Sequence, residues 1–181
     1  MAQDRPQSGD IVRWKAARRQ DLPQGDIWVE KLEEQDRRIL NALQADSRLS
    51  NQDLAQRAGM SASACWRRVR ALEDAGIIRR YCAIVDPPAV GMTFHAIVHV
   101  TLSRHDERHV ETFISEVRRR PEVLDCHATT GEADYHLRVV CTDLAAYNEF
   151  LERFLFRLPG IANVRTNLVL KEIKQETAIA L

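Results

Sequence analysis

Between Leu32 and Leu72 the apolar positions recur at steps of three and four; from Phe94 to Leu102 they alternate. The first spacing predicts helices with one buried face, the second strands. Leu32, Ile39, Leu40 and Leu43 make a helical stripe, with acidic residues in its first turn, where the helix dipole favours them. Asp46-Ser47-Arg48 interrupts it. Ser50 is placed to cap a second helix, with Asp53 in its first turn and Leu54, Ala55 and Ala58 facing inward. Gly59 is a stop signal, and Ser61 caps a third helix whose apolar stripe is Ala62, Cys65, Val69 and Leu72. Two helices joined by a tight Gly-containing turn form a helix-turn-helix. After Gly76, the run Ile77 to Val85 predicts an extended hairpin, a wing with Arg79 and Arg80 near its tip.

Asp86-Pro87-Pro88-Ala89-Val90-Gly91 ends that module, since two prolines and a glycine stop a strand and stiffen the exit. Downstream, Phe94, Ala96, Val98, Val100 and Leu102 share one face of a strand, with His95, Ile97, His99 and Thr101 on the other. Residues 106–119 are helical, 123–129 and 135–141 are strands joined by a Gly131-Glu132 turn, Asp143 caps a second helix, and 164–170 is the last strand. The order βαββαβ predicts a ferredoxin-like sheet with helices on one face. The fold class is therefore α+β: an N-terminal winged helix-turn-helix and a C-terminal ferredoxin-like domain. The boundaries read as an extension over 1–31, a DNA-binding domain over 32–85, a hinge over 86–93, a sensing and oligomerisation domain over 94–170 and a tail over 171–181. Ile97 between histidines marks the uncovered face as a dimer surface.

The chemistry of the third helix points to nucleic acid. At about 100° per residue, Ser63, Arg67 and Arg70 lie opposite the apolar stripe and Arg68 on its flank. Arginine pairs with phosphates and bidentately with guanine edges, so such a helix suits a major groove. Ser61, Ser63, Arg67, Arg68, Arg70, Arg79 and Arg80 are the candidate contacts to double-stranded DNA. Net charge is zero over the whole chain, yet residues 32–85 carry nine Lys+Arg against seven Asp+Glu, and five of the nine fall between 67 and 80. A local patch, not the sum, governs DNA affinity. The chain has no apolar run near membrane-spanning length and no apolar leader at its start, which points to the cytoplasm. Its four cysteines lack CxxC spacing and read as core residues, with no metal site or cofactor implied. The extension contains a small basic cluster, Trp14, Lys15, Arg18 and Arg19, but no sustained periodicity.

Several stretches together resemble the Lrp/AsnC (feast/famine) family of transcriptional regulators. They are Asp36-Arg37-Arg38-Ile39-Leu40, Ser61 through Ile78, the proline hinge to Gly91, Thr130-Gly131-Glu132-Ala133-Asp134-Tyr135, and Leu158-Pro159-Gly160-Ile161 with Lys171-Glu172-Ile173-Lys174. The resemblance implies homodimers, often assembled to octamers, DNA binding by the first module, and an amino acid or related small molecule sensed by the second. It places the effector at Thr129, Thr130, Gly131, Glu132, Asp134 and Tyr135. Hydroxyls and backbone N–H groups there suit a carboxylate, while Glu132 and Asp134 suit an ammonium. The turn reads Gly-Glu-Ala-Asp where leucine-responsive members commonly carry Gly-Asp-Phe-Asp. The rival reading is an enzyme of the tetrapyrrole-decarboxylase type with a vestigial helix-turn-helix, using His95, His99, His136 and Arg138 on the open sheet face. No nucleophile–base spacing and no phosphate loop accompany them, so the chain is read as a non-enzyme.

Overall fold

The computed structural model describes residues 32–103 and 107–181. The N-terminal extension, with its Trp14–Arg19 cluster, and His105 lie outside the described residues. The described residues divide into two compact units, one of residues 32–83 with Glu176–Leu181, the other within Ile84–Gln175.

Three helices build the first unit: α1 (Glu34–Ala45), α2 (Asn51–Ala58) and α3 (Ala62–Asp74). Each begins where a side chain can satisfy orphan N–H groups. Glu33 and Asp36 form a reciprocal capping box on α1. Ser50 accepts from the Asp53 N–H at 3.1 Å, and Ser61 from the Ala64 N–H at 3.3 Å. α2 ends on Gly59 at φ +71°, and the Met60 N–H returns to the Ala55 carbonyl at 3.0 Å. That left-handed residue lets the chain turn at once into α3, and a side chain there would be strained. Asn51 at the start of α2 donates to the Ala62 carbonyl at 2.9 Å, tying the two helices at the turn. Ile39, Leu40, Leu54, Ala55, Ala58, Cys65 and Leu72 form the buried core.

The hairpin expected over 77–85 does not form. Residues 79–86 hold no strand and no helix, and Tyr81, Ile84 and Val85 are exposed. A hairpin needs a turn and a returning strand. Arg79-Arg80 supplies no residue suited to a two-residue turn, and Pro87-Pro88 enters a short 3-10 turn (Pro88–Val90) where the return would continue.

The second unit runs β1 (Phe94–Leu102), α4 (Glu107–Val117), β2 (Val123–Ala128), β3 (Tyr135–Cys141), α5 (Leu144–Arg153) and β4 (Ile161–Leu168). The strands pair antiparallel in the order β2-β3-β1-β4, so β1 is central. Ala96, Val98 and Val100 face the helices and pack with Phe113, Val117, Leu137, Val139, Tyr147 and Phe150. The opposite face carries His95, Ile97 and His99, none fully buried. β4 starts at Ile161, earlier than its hydrophobic pattern suggests, because strand pairing resumes directly after Pro159-Gly160, where Ile161 pairs with Leu102.

Candidate nucleic-acid interface and effector site

On α3, Ser63, Arg67 and Arg70 are exposed, opposite the buried Cys65 and Leu72. Arg67 makes no ion pair with the described residues, and Arg70 pairs with Glu73 at 3.2 Å within the helix. Ser61 serves as the cap, with its hydroxyl 3.3 Å from that of Ser63. Arg79 and Arg80 are exposed on the extended segment after the helix.

Arg68 behaves differently. Its guanidinium forks onto Asp36 Oδ1 at 2.9 Å and onto Glu33, both at the start of α1. Donating hydrogen bonds to Glu33 and then to Asp36 raises its pKa further above the usual arginine value. A sequence pattern places Arg68 with the DNA-facing arginines; the fold spends it on joining α3 to α1. The partners lie 32 and 35 positions upstream, so no local spacing reveals the pairing.

The turn between β2 and β3 is tightly organised. The Thr129 N–H donates to the Asp134 carbonyl at 3.0 Å, and the Thr129 hydroxyl to the Ala133 carbonyl at 3.2 Å. Asp134 Oδ2 accepts from the Leu102 N–H at 2.7 Å, and the Asp134 N–H donates to the Val100 carbonyl at 3.0 Å. One carboxylate oxygen is thus engaged in fastening the turn to β1. Glu132 extends into solvent and meets Arg165 of β4 at 3.3 Å. Thr130, Gly131 and Glu132 are exposed, and nothing lies within 4 Å of the position a side chain would take at Gly131. Tyr135 packs its ring 4.6 Å from that of Phe113, which makes it a core contact with one accessible edge. Burial, then Cys126 and Asp134, pushes its phenol pKa up. Arg165 is the residue that sequence reasoning missed. It lies 33 positions from Glu132 and becomes its neighbour only because β4 pairs with β1.

The open sheet face holds a cross-strand row: His127 opposite His136, His136 opposite His99, His99 opposite Arg165. The His99 and His136 rings meet edge to face at 4.4 Å, and Asn167 lies 3.1 Å from His99 Nε2. Burial first, then the neighbouring His136 and Arg165, lower the His99 pKa below its usual 6.5. Arg138 is tied to Asp125 at 2.6 Å, and His95 Nε2 lies 3.2 Å from the Met92 carbonyl.

Residues 32–79 match a winged helix-turn-helix DNA-binding model, and residues 95–179 match the Lrp/AsnC ligand binding domain. The chain belongs to the Lrp/AsnC family of transcriptional regulators. It is 38% identical over 146 residues to the leucine-responsive regulatory protein of Escherichia coli, covering 81% of this chain and 89% of that protein. The homologous protein of Klebsiella pneumoniae matches equally well, at 38% identity over the same shares. Among solved structures, a transcriptional regulator from Neisseria meningitidis in complex with L-Met is 39% identical, with a TM-score of 0.78, over 82% of this chain and 96% of that one. An AsnC family regulator from Agrobacterium tumefaciens is 35% identical with a TM-score of 0.77, over the same shares. As a member of this family, the chain pairs a DNA-binding helix-turn-helix with a ligand-binding domain, and no described helix is long and apolar enough to cross a membrane.

Proposed function

We propose that this regulator reads duplex DNA with the exposed face of α3 and responds to a zwitterionic amino acid bound at the β2–β3 turn. The supporting observation is the division of labour among the α3 arginines. Arg68 is locked to α1, while Ser63 and Arg67 stand exposed on the same capped helix. A recognition helix contacts base edges from its N-terminal half, which holds Ser63 and Arg67. Arg70, Arg79 and Arg80 then supply phosphate contacts, which orient the protein and are insensitive to sequence. Binding to two half-sites calls for a homodimer, and we assign its interface to the open sheet face around Ile97; octamers would be assemblies of such dimers. The working compartment is the cytoplasm, where the DNA is.

At the turn, Glu132 and the free oxygen of Asp134 accept from an ammonium, while the exposed N–H groups around Gly131, the Thr130 hydroxyl and Arg165 meet a carboxylate. No cofactor is required. An enzymatic role for the sheet-face histidines is disfavoured: His99 is engaged by Asn167, His95 sits against a main-chain carbonyl, and Arg138 is held by Asp125. The test is fluorescence anisotropy with promoter duplexes at several salt concentrations, alongside a thermal-shift screen of the amino acids. A ligand specific for the native state raises its melting temperature. Failure of any duplex to compete with random DNA would refute sequence-specific reading.

A further inference from the structure

Gln44 of α1 makes a two-way clamp on the main chain of Ile179. Its Nε2 donates to the Ile179 carbonyl at 2.9 Å, and its Oε1 accepts from the Ile179 N–H at 2.7 Å. Three residues earlier, on the same face of the helix, Asn41 Nδ2 donates to the Leu181 carbonyl at 3.3 Å. The carboxylate of Glu176 accepts from the Thr177 and Ala178 N–H groups at 3.1 Å each, which shapes the start of the segment. Side-chain amides that pair with a main-chain amide in both directions mimic a strand partner, so α1 offers a docking edge for an extended peptide. The last six residues accordingly belong to the DNA-binding unit, although the chain has by then passed through the whole second unit.

We infer that residues 176–181 are a second tether between the two units, docked on Asn41 and Gln44, that carries changes at the sensing turn to the DNA-binding helices. The first tether is the proline-containing segment after Ala83. The second leaves from β4, through residues 169–175, and β4 is the strand whose Arg165 pairs with Glu132 of the turn. A ligand that takes either partner of that ion pair acts on β4, and β4 continues covalently into the segment held by α1. The docked and released states of the segment are the two states that such coupling requires. This rests on the proposed effector turn for its input and on DNA binding for its output, whereas the docking itself depends on neither.

Hydrogen exchange on the full chain tests it in two steps. In the wild type the Ile179 amide exchanges on the order of tenfold more slowly than in a free peptide, the scale of protection that a pair of solvent-accessible hydrogen bonds provides. Gln44→Ala restores the free-peptide rate without altering protection of the α1 core, because Gln44 is exposed. Free-peptide exchange of Ile179 in the wild type overturns the docking. A duplex added at low salt then changes exchange over β4 (161–168) in the wild type but not in a chain lacking 176–181. A β4 response that survives the deletion, or is missing from a DNA-bound wild type, overturns the coupling. Anisotropy on the same samples reports DNA binding directly, so failure of the regulator reading is seen separately.

Discussion

Arg67 and Arg68 are adjacent, identical in chemistry and predicted to fail in opposite ways. Replacing Arg68 with alanine removes two charge-assisted hydrogen bonds. The one to Asp36 is the stronger, since that carboxylate is only 15% exposed against 34% for the arginine. A hydrogen bond to a charged group contributes roughly 1.5–3 kcal/mol when well shielded. Solvent around a one-third-exposed guanidinium reduces that to about 1–2 kcal/mol. Glu33 is 61% exposed, so its arm contributes about 0.2–1 kcal/mol. The two carboxylates are then left facing one another without a cation, and the total loss is about 2 kcal/mol. For a unit of this size that corresponds to a fall of roughly 10 °C in Tm. DNA affinity per folded molecule, measured by anisotropy well below the transition, stays within about twofold. Arg67→Ala gives the converse: stability unchanged to about 0.5 kcal/mol, with a loss of about 1–3 kcal/mol in site-specific binding. Differential scanning calorimetry and anisotropy on both variants decide the matter. If Arg68→Ala melts like the wild type and loses its DNA affinity, the fork to α1 is not what the arginine is for, and the reasoning fails.

Three further expectations concern the second unit. Asp134→Asn keeps an acceptor for the Leu102 N–H and so preserves the turn, but removes its charge; calorimetry should show the fold intact and effector affinity reduced, and unchanged affinity would remove Asp134 from the site. His99 has a folded pKa below its unfolded value, so its neutral form favours folding: the associated stability is present above about pH 6.5 and is lost as pH falls through the lowered pKa. Urea titrations between pH 7.5 and 5 should show that loss in the wild type and a flatter profile in His99→Gln; parallel profiles would discount the histidine. Ile97→Glu puts a charge at the centre of the open face and should yield smaller species in light scattering, while an unaltered mass would move the interface elsewhere.

The helices were readable from the sequence because their determinants are local. Ser50, Gly59 and Ser61 act within a turn of where they stand, and the apolar stripe of α3 fixes which face turns inward. The strands of the sheet were readable as alternation, and β1 through β3 fall where alternation places them. What the sequence hid depends on partners far along the chain. Arg68 looks like its neighbours until α1 is packed beside it. Arg165 acquires Glu132 only through strand register, and Gln44 acquires Ile179 only after the chain has returned. The wing failed for a different reason: the run Ile77–Val85 after the Gly76 stop signals extended backbone but does not supply a returning strand.

The fork of Arg68 onto Glu33 and Asp36 also bears on how such a regulator can change over generations. The orientation of α3 is set by contacts on its hidden side and by its caps, whereas Ser63, Arg67 and Arg70 are absent from the buried core. Substitutions at Ser63 and Arg67, the two placed against base edges, can therefore redirect the protein to new operators with little effect on folding. Selection on target choice and selection on stability act on separate residues of one helix, so a duplicated copy could drift toward a new set of genes without passing through an unfolded ancestor.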